Sequence, residues 1–231
     1  MIAYAIVVEG DSVSEKGYEN LVTSSKSVGN KFKVMRFNAI TPDNVEQIME
    51  ESDVKWNYPW EGEVTDFTTG LTKKAYPTKN YKKRMACSMS HFNLWQMAFE
   101  LQEPVLIMEH DSMFVNPIDF DIRDTKFNIL GINNPLMATR KAHDYYDKIV
   151  SSFDAFQYAP YIDKDIKIPQ GLAGNSSYVI TPKGAEDLIS LTYRYGVWPN
   201  DAVMCRQLVD KLGVTRKFYT RVQGLPSTTT L

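Results

Sequence analysis

The chain opens on an unbroken apolar run, "IAYAIVV" at residues 2–8, with no polar position inside it. A run of that length without alternation predicts a strand buried on both faces, as parallel strands are. Gly10 and Ser12 break it. "YENLVTSSKSV" then shows helical spacing, and "FKVMRFNAI" reads as a second short strand. "TPDNVEQIMEES" reads as a helix with Thr41 as N-cap, Pro42 in the first helical position and acids in the first turn. Met85, Met89, Phe92, Trp95 and Phe99 recur at helical spacing as far as Leu101, and Pro104 closes that segment before the apolar run 105–108. "FNILGIN" (127–133) and "SSYVIT" (176–181) are strand-like. Thr181 and Pro182 lead into a helix that Gly196 stops. Asn200 reads as the cap of a helix over 201–212 that Gly213 ends, and "VTRKFYT" as a last strand before a loose tail, "PSTTTL". This alternation predicts an α/β protein with an open sheet. Only residues 53–83 lack a period; a long irregular stretch rich in aromatics, Gly, Pro and Lys is usually functional or mobile.

Composition narrows the class. A chain of 231 residues with 43% hydrophobic and 12% aromatic side chains fits one large domain or a fused pair of small ones, with a substantial core. A net charge of -2 and a pI near 6.0 supply no global attraction to nucleic acid or anionic membrane, leaving only local patches. No stretch approaches the ~20 apolar residues of a membrane span. The opening "MIAYAIVVEGD" lacks the basic start of a secretion signal and reads as a strand. Cys87 and Cys205 show no metal-type spacing in the sequence and fit free thiols in a reducing compartment, so a cytoplasmic location is expected.

The candidate chemistry sits in "PVLIMEHDSMF" (104–114), where a buried strand ends abruptly in two acids around a histidine. Neighbouring carboxylates repel and resist desolvation, so the pattern points to a cation or a proton-transfer role. Ligands of open α/β sheets bind at the carboxyl ends of the strands. With one residue between them, Glu109 and Asp111 project in similar directions if strand geometry continues. Hard cations such as Mg²⁺ or Mn²⁺ favour such oxygens and bridge phosphates. A solvated acidic turn is the plain alternative.

The segment "CSMSHFNLWQMAFELQEPVLIMEHDSMF" resembles glycosyltransferase family 25, which holds bacterial lipooligosaccharide and collagen galactosyltransferases. The matching residues are Cys87, Ser90, His91 and Trp95 on a helix, then Glu109 and Asp111 at the strand end. "GNSSYVITPKGAEDLI" and "WPND" echo two further stretches of that family, so the likeness spans roughly residues 84–205. It implies a single GT-A-type domain, a Rossmann-like open twisted sheet flanked by helices, with a nucleotide-sugar half (1–120) and an acceptor half (121–231). It also implies a metal-dependent, inverting hexosyltransferase that takes a UDP-sugar such as UDP-glucose or UDP-galactose, with Mn²⁺ or Mg²⁺. Carried over, Asp111 and Glu109 hold the metal, Asp111 and Asp201 serve catalysis, and Asp201 is the general base. Val8, Glu9, Glu109, His91, Asn175 and Ser176 would face the donor.

Two departures stand out. His110 replaces the family's middle acid, and "VVEGDSVSEKG" lacks the Asn and Arg that usually help hold the nucleotide. Plain readings compete: His91 as a hydrogen-bonded packing residue, Trp95 as core, Cys87 and Ser90 as close-packing positions, Asn175 and Ser176 as a loop end, and Asp201 as an acid at a helix N-terminus. Lys73, Lys74, Lys79, Lys82, Lys83 and Arg84, interleaved with Tyr76 and Tyr81, read as a solvated loop, a lid over a diphosphate, or a track for a phosphate backbone. The expected acceptor is a glycan such as lipooligosaccharide. Hydroxymethylated DNA, modified as some phage enzymes modify 5-hydroxymethylated pyrimidines, is the alternative, and the compact architecture would suit a phage gene. A nucleotide-sugar-binding protein without turnover is the third reading.

Overall fold

A computed structural model describes residues 1–137, 141–172 and 174–226. Along the first half run β1 (Ile2–Val7), α1 (Ser12–Ser27), β2 (Val34–Asn38), α2 (Val45–Glu51), β3 (Glu63–Asp66), β4 (Leu71–Lys74), α3 (Tyr81–Leu101) and β5 (Val105–Glu109). β6 (Ser112–Phe114), β7 (Ile129–Gly131), α4 (Ala142–Ser151), β8 (Phe156–Tyr158) and β9 (Ser177–Ile180) follow. α5 (Pro182–Tyr195), α6 (Asn200–Val203), β10 (Leu212–Thr215) and β11 (Thr220–Val222) complete the chain.

Seven strands form one sheet in the order β2-β1-β5-β9-β7-β10-β8. The open sheet is mostly parallel. β2, β1, β5, β7 and β10 share a direction, while β9 and the edge strand β8 run against it. Both faces are covered, which is why the strands read as continuous apolar runs. In β5, Val105 and Ile107 join a core with Met89, Phe92 and Trp95 of α3, whereas Leu106 and Met108 join the opposite core with Leu21 and Phe114. Each such side chain contributes about 1.5–3 kcal/mol over leaving it in water. That burial fixes the register, and with it the point where the strand must release its two acids.

Several boundaries move for identifiable reasons. α1 starts at Ser12 because the Asp11 carboxylate accepts from the Ser14 N–H. Thr41 is not a cap: α2 begins after Asn44, whose side chain instead accepts from the Thr41 N–H. Residues 53–83 contain the β3–β4 hairpin. The helix expected over 201–212 is the single turn α6, preceded by Pro199, because Cys205 leaves it to form a β-bridge with Gly171. Gly213 is not a helix stop; it lies inside β10, where a Cβ would come within 2.6 Å of the Phe127 ring. The last strand is two: β10 joins the main sheet and β11 pairs with β6. The tail expected to be loose lies, beyond Pro226, outside the described residues. Among the described residues no helix is long and apolar enough to cross a membrane.

Candidate active site

A cavity of about 460 Å³ opens where β1 and β5 end side by side, with Ile6 paired to Glu109 across the two strands. Val8, His91, Glu109, Asp111, Asn175, Ser176 and Asp201 all line it. Glu9 does not: it is exposed and accepts from the Asn38 side chain at 3.4 Å. The reversal of β9 explains how residues so distant in sequence meet. An antiparallel neighbour begins where β5 finishes, so Asn175 and Ser176 arrive beside the acids. The Ser176 carbonyl accepts from the Glu109 N–H at 2.8 Å and from the Ser112 hydroxyl at 2.6 Å, tying both ends of the acidic turn.

That turn is also held from the far side. Gln223, just after β11, donates its backbone N–H to the Asp111 carbonyl at 2.7 Å. Its side-chain amide reaches the carbonyls of Gly17, His110 and Ser112 at 2.8–3.1 Å, and its oxygen accepts from Asn20 at 2.9 Å. α1 can approach because Gly17 has no side chain; a Cβ there would lie 2.7 Å from the His110 carbonyl. Nothing in "RVQGLP" announces this clamp, since one polar residue near a terminus carries no pattern. Gln223→Leu is expected to cost about 1–3 kcal/mol by stranding buried carbonyls. Denaturant melts check this, and a variant as stable as the parent would show that those carbonyls find other partners.

Three buried oxygens and two shifted carboxyls mark the cavity wall. Asp111 Oδ1, Asn175 Oδ1 and Asp201 Oδ1 are each shut off from water without a hydrogen-bond partner among the described residues, although both aspartates keep some surface on the cavity wall. Buried acceptors of this kind are rare and call for an explanation. Burial first, and the Glu109 charge second, push the Asp111 carboxyl up to about 7. Burial likewise raises Asp201, with Arg84 opposing and Glu109 adding to the shift. His110 is buried, and desolvation pulls its imidazole below the usual range, so the residue in place of the family's middle acid is neutral at pH 7.

His91 is wholly buried and belongs to a relay. Trp95 Nε1–H donates to the Tyr178 hydroxyl at 2.8 Å, and that hydroxyl lies 2.9 Å from His91 Nδ1. His91 Nε2 faces Glu109 Oε1 at 3.3 Å. The Glu109 carboxylate can only accept, so a neutral His91 carries its proton on Nε2, toward it, and Nδ1 accepts from the Tyr178 hydroxyl. His91 is thus a hydrogen-bonded packing residue whose buried ring also faces Glu109 at the cavity wall. Asp201 is set by close backbone contact, since a Cβ on Gly171 would lie 2.3 Å from the Asp201 carbonyl.

With this geometry in place, the family comparison decides the relationship. Residues 20–204 match the family described as Glycosyltransferase family 25 (LPS biosynthesis protein). The chain belongs to glycosyltransferase family 25. The match takes in His91, Glu109, Asp111, Asn175, Ser176 and Asp201 and leaves Val8 and Glu9 outside it. Among solved structures, the apo-form glycosyltransferase GlyE of Streptococcus pneumoniae TIGR4 is similar at 12% identity and a TM-score of 0.33. That likeness covers 83% of this chain and 38% of the GlyE chain. The chain thus spans well under half the length of that protein. No curated protein matches it.

For a family 25 domain, the cation-rich segment resolves into separate parts. Lys73 is buried, 3.0 Å from Asp66 and 4.8 Å from the Trp198 ring centre. Lys74 pairs with Glu63 and Lys82 with Glu46. Lys83 and Arg84 alone of the six line the cavity. Tyr76 stacks on Tyr58 and Tyr81 on Trp60, whose other contact is the parallel ring of Trp56 at 4.5 Å. The acids that answer these lysines come from outside the segment, which is why it looked unpaired in sequence.

Proposed function

We propose that this family 25 domain transfers a hexose from a UDP-sugar to an acceptor hydroxyl, with inversion and with the help of Mn²⁺ or Mg²⁺. The observation that carries the reading is the convergence of three unpaired buried oxygens, on Asp111, Asn175 and Asp201, upon one cavity at the carboxyl edge of the sheet. A cation fits there. Asp111 and Glu109 offer only carboxylate oxygens, the donors that Mg²⁺ and Mn²⁺ prefer, and Asp111 Oδ1 meets no hydrogen-bond partner among the described residues. When bound, such an ion would neutralise charge developing on the departing nucleoside diphosphate.

The chain's own residues supply the rest. Glu109, oriented by the Trp95–Tyr178–His91 relay, holds its carboxylate toward the cavity without drifting. Lys83 and Arg84 line the wall and bring positive charge toward the donor's phosphates. Asn175 Oδ1 is an acceptor for a donor hydroxyl or N–H. Asp201 takes the proton of the attacking hydroxyl. A carboxylate raised by burial is a stronger base than one in water, which suits that step.

A glycan is the favoured acceptor, in keeping with the family description. Lys73, Lys74 and Lys82 already answer carboxylates, which argues against a continuous phosphate track for DNA. Donor binding tests the reading. UDP, UDP-glucose and UDP-galactose are expected to raise the melting temperature only when Mn²⁺ is present, because a ligand that binds the folded state stabilises it. Release of UDP from the bound sugar would then separate an enzyme from a binding protein. A panel in which no nucleotide sugar shifts the melt, with or without metal, would remove the proposal.

A further inference from the structure

A second donor set stands next to the two carboxylates and differs from them in kind. Cys87 and His91 lie four residues apart on α3 and so share one face. Glu109 reaches them from the end of β5. The Cys87 sulfur, a His91 ring nitrogen and a Glu109 oxygen all lie within 4.8 Å of one another. The 3.3 Å between His91 Nε2 and Glu109 Oε1 matches the edge of a tetrahedron with metal–ligand bonds of about 2.1 Å, roughly 3.4 Å. His91 has the outer partner that ligating histidines need: Nδ1 faces the Tyr178 hydroxyl at 2.9 Å, and Trp95 anchors that hydroxyl in turn. Sulfur and imidazole select a borderline-soft cation, whereas Mg²⁺ and Mn²⁺ prefer the oxygens of Asp111 and Glu109.

We propose that Cys87, His91 and Glu109 form a zinc-class site that shares Glu109 with the oxygen-ligated cation, so that Zn²⁺ binding silences the transferase. On binding, the Cys87 thiol would give its proton to solvent and the His91 proton would move from Nε2 to Nδ1, so that the Tyr178 oxygen accepts from both Nδ1–H and Trp95 Nε1–H while its own O–H turns away from His91. Glu109 then turns from the hard cation to the soft one. The three ligands leave a fourth position open, so the ion is held without a closed structural shell. The metal site itself stands apart from the proposed activity; only the silencing rests on the reading of the cavity as a transferase site.

Cobalt(II) is the probe for the site, because it takes the same ligands and reports sulfur through a thiolate-to-metal absorption band. Titrated into the full chain, Co²⁺ is expected to produce that band, and added Zn²⁺ to abolish it. Cys87→Ser is expected to lose the band while melting as the parent does. His91→Asn serves as a second variant should the first be unstable, and is expected to weaken Co²⁺ binding at least tenfold. In Mn²⁺-supported transfer, zinc inhibition is expected to be at least tenfold weaker in Cys87→Ser than in the parent, each measured against its own zinc-free rate. Co²⁺ binding without a sulfur band, or a band that persists in Cys87→Ser, would overturn the site. A cobalt band in a protein with no transferase activity would leave the site standing and refute the proposed function instead.

Discussion

Asp111→Asn is expected to make the metal-free protein more stable while abolishing transfer. The carboxyl is pushed up to about 7 from 3.8 by burial and by Glu109. A folded-state value above the unfolded one means that ionisation costs stability, and the cost grows as pH rises from about 4 to about 7. The whole shift corresponds to about 4 kcal/mol at 1.36 kcal/mol per pH unit, and relaxation leaves about 2 kcal/mol as the working expectation. For a chain of this size that is a rise in melting temperature of about 4–8 °C at pH 8 in a chelator, shrinking toward pH 5. Mn²⁺ is expected to close the gap by stabilising the parent and not the variant. A variant that melts below the parent at pH 8 would show that Asp111 is satisfied within the fold, with no need of an ion.

Asp201→Asn is the second large effect. The substitution keeps shape and removes only the capacity to accept a proton, so kcat is expected to fall by about 10²–10⁴ with UDP affinity within about threefold of the parent. Because burial holds Asp201 above the ordinary carboxylate range, the acid limb of the parent's kcat/KM profile is expected to lie above that of a solvated carboxylate, with activity rising as the group loses its proton. The limb should vanish in the variant. The competing role is an acid at a helix N-terminus, but α6 is one turn long and its dipole is correspondingly small. The Asp201 carboxylate lies close enough to Tyr58, Tyr76 and Tyr145 to add to the upward shift that burial gives each, reaching about 12 at Tyr145. That is the environment of a buried charge. A variant within fivefold of the parent rate would return Asp201 to a structural part.

The sequence carried the site further than it carried the topology. Continuous apolar runs marked β1, β5 and β9, and helical spacing marked α3, because those elements are covered on both faces and burial writes itself into composition. Glu109, Asp111 and Asp201 were legible as acids at the ends of such elements. The antiparallel course of β9 was not, since "SSYVIT" reads the same in either direction, and it is that reversal which brings Asn175 and Ser176 to the acids. β6, β8 and β11 have three residues each, too few for a period, and α6 reads as a longer helix because apolar residues from 202 to 212 mimic helical spacing while serving a bridge and turns. Residues that act by contact alone left no mark. Gln223 reaches four backbone positions around the acidic turn, yet sits in an unremarkable polar stretch. Tyr178, inside an apparent core strand, turns out to be the hinge between Trp95 and His91.

The most direct test is calorimetric titration of UDP into the full chain at pH 7.5, with and without Mn²⁺, repeated on Asp111→Asn. Binding that is at least tenfold tighter with the metal, and a loss of that gain in the variant, is the predicted result. Equal affinity in all four titrations, or a metal gain that survives the loss of the Asp111 charge, would contradict the assignment of this cavity to a cation and a nucleoside diphosphate.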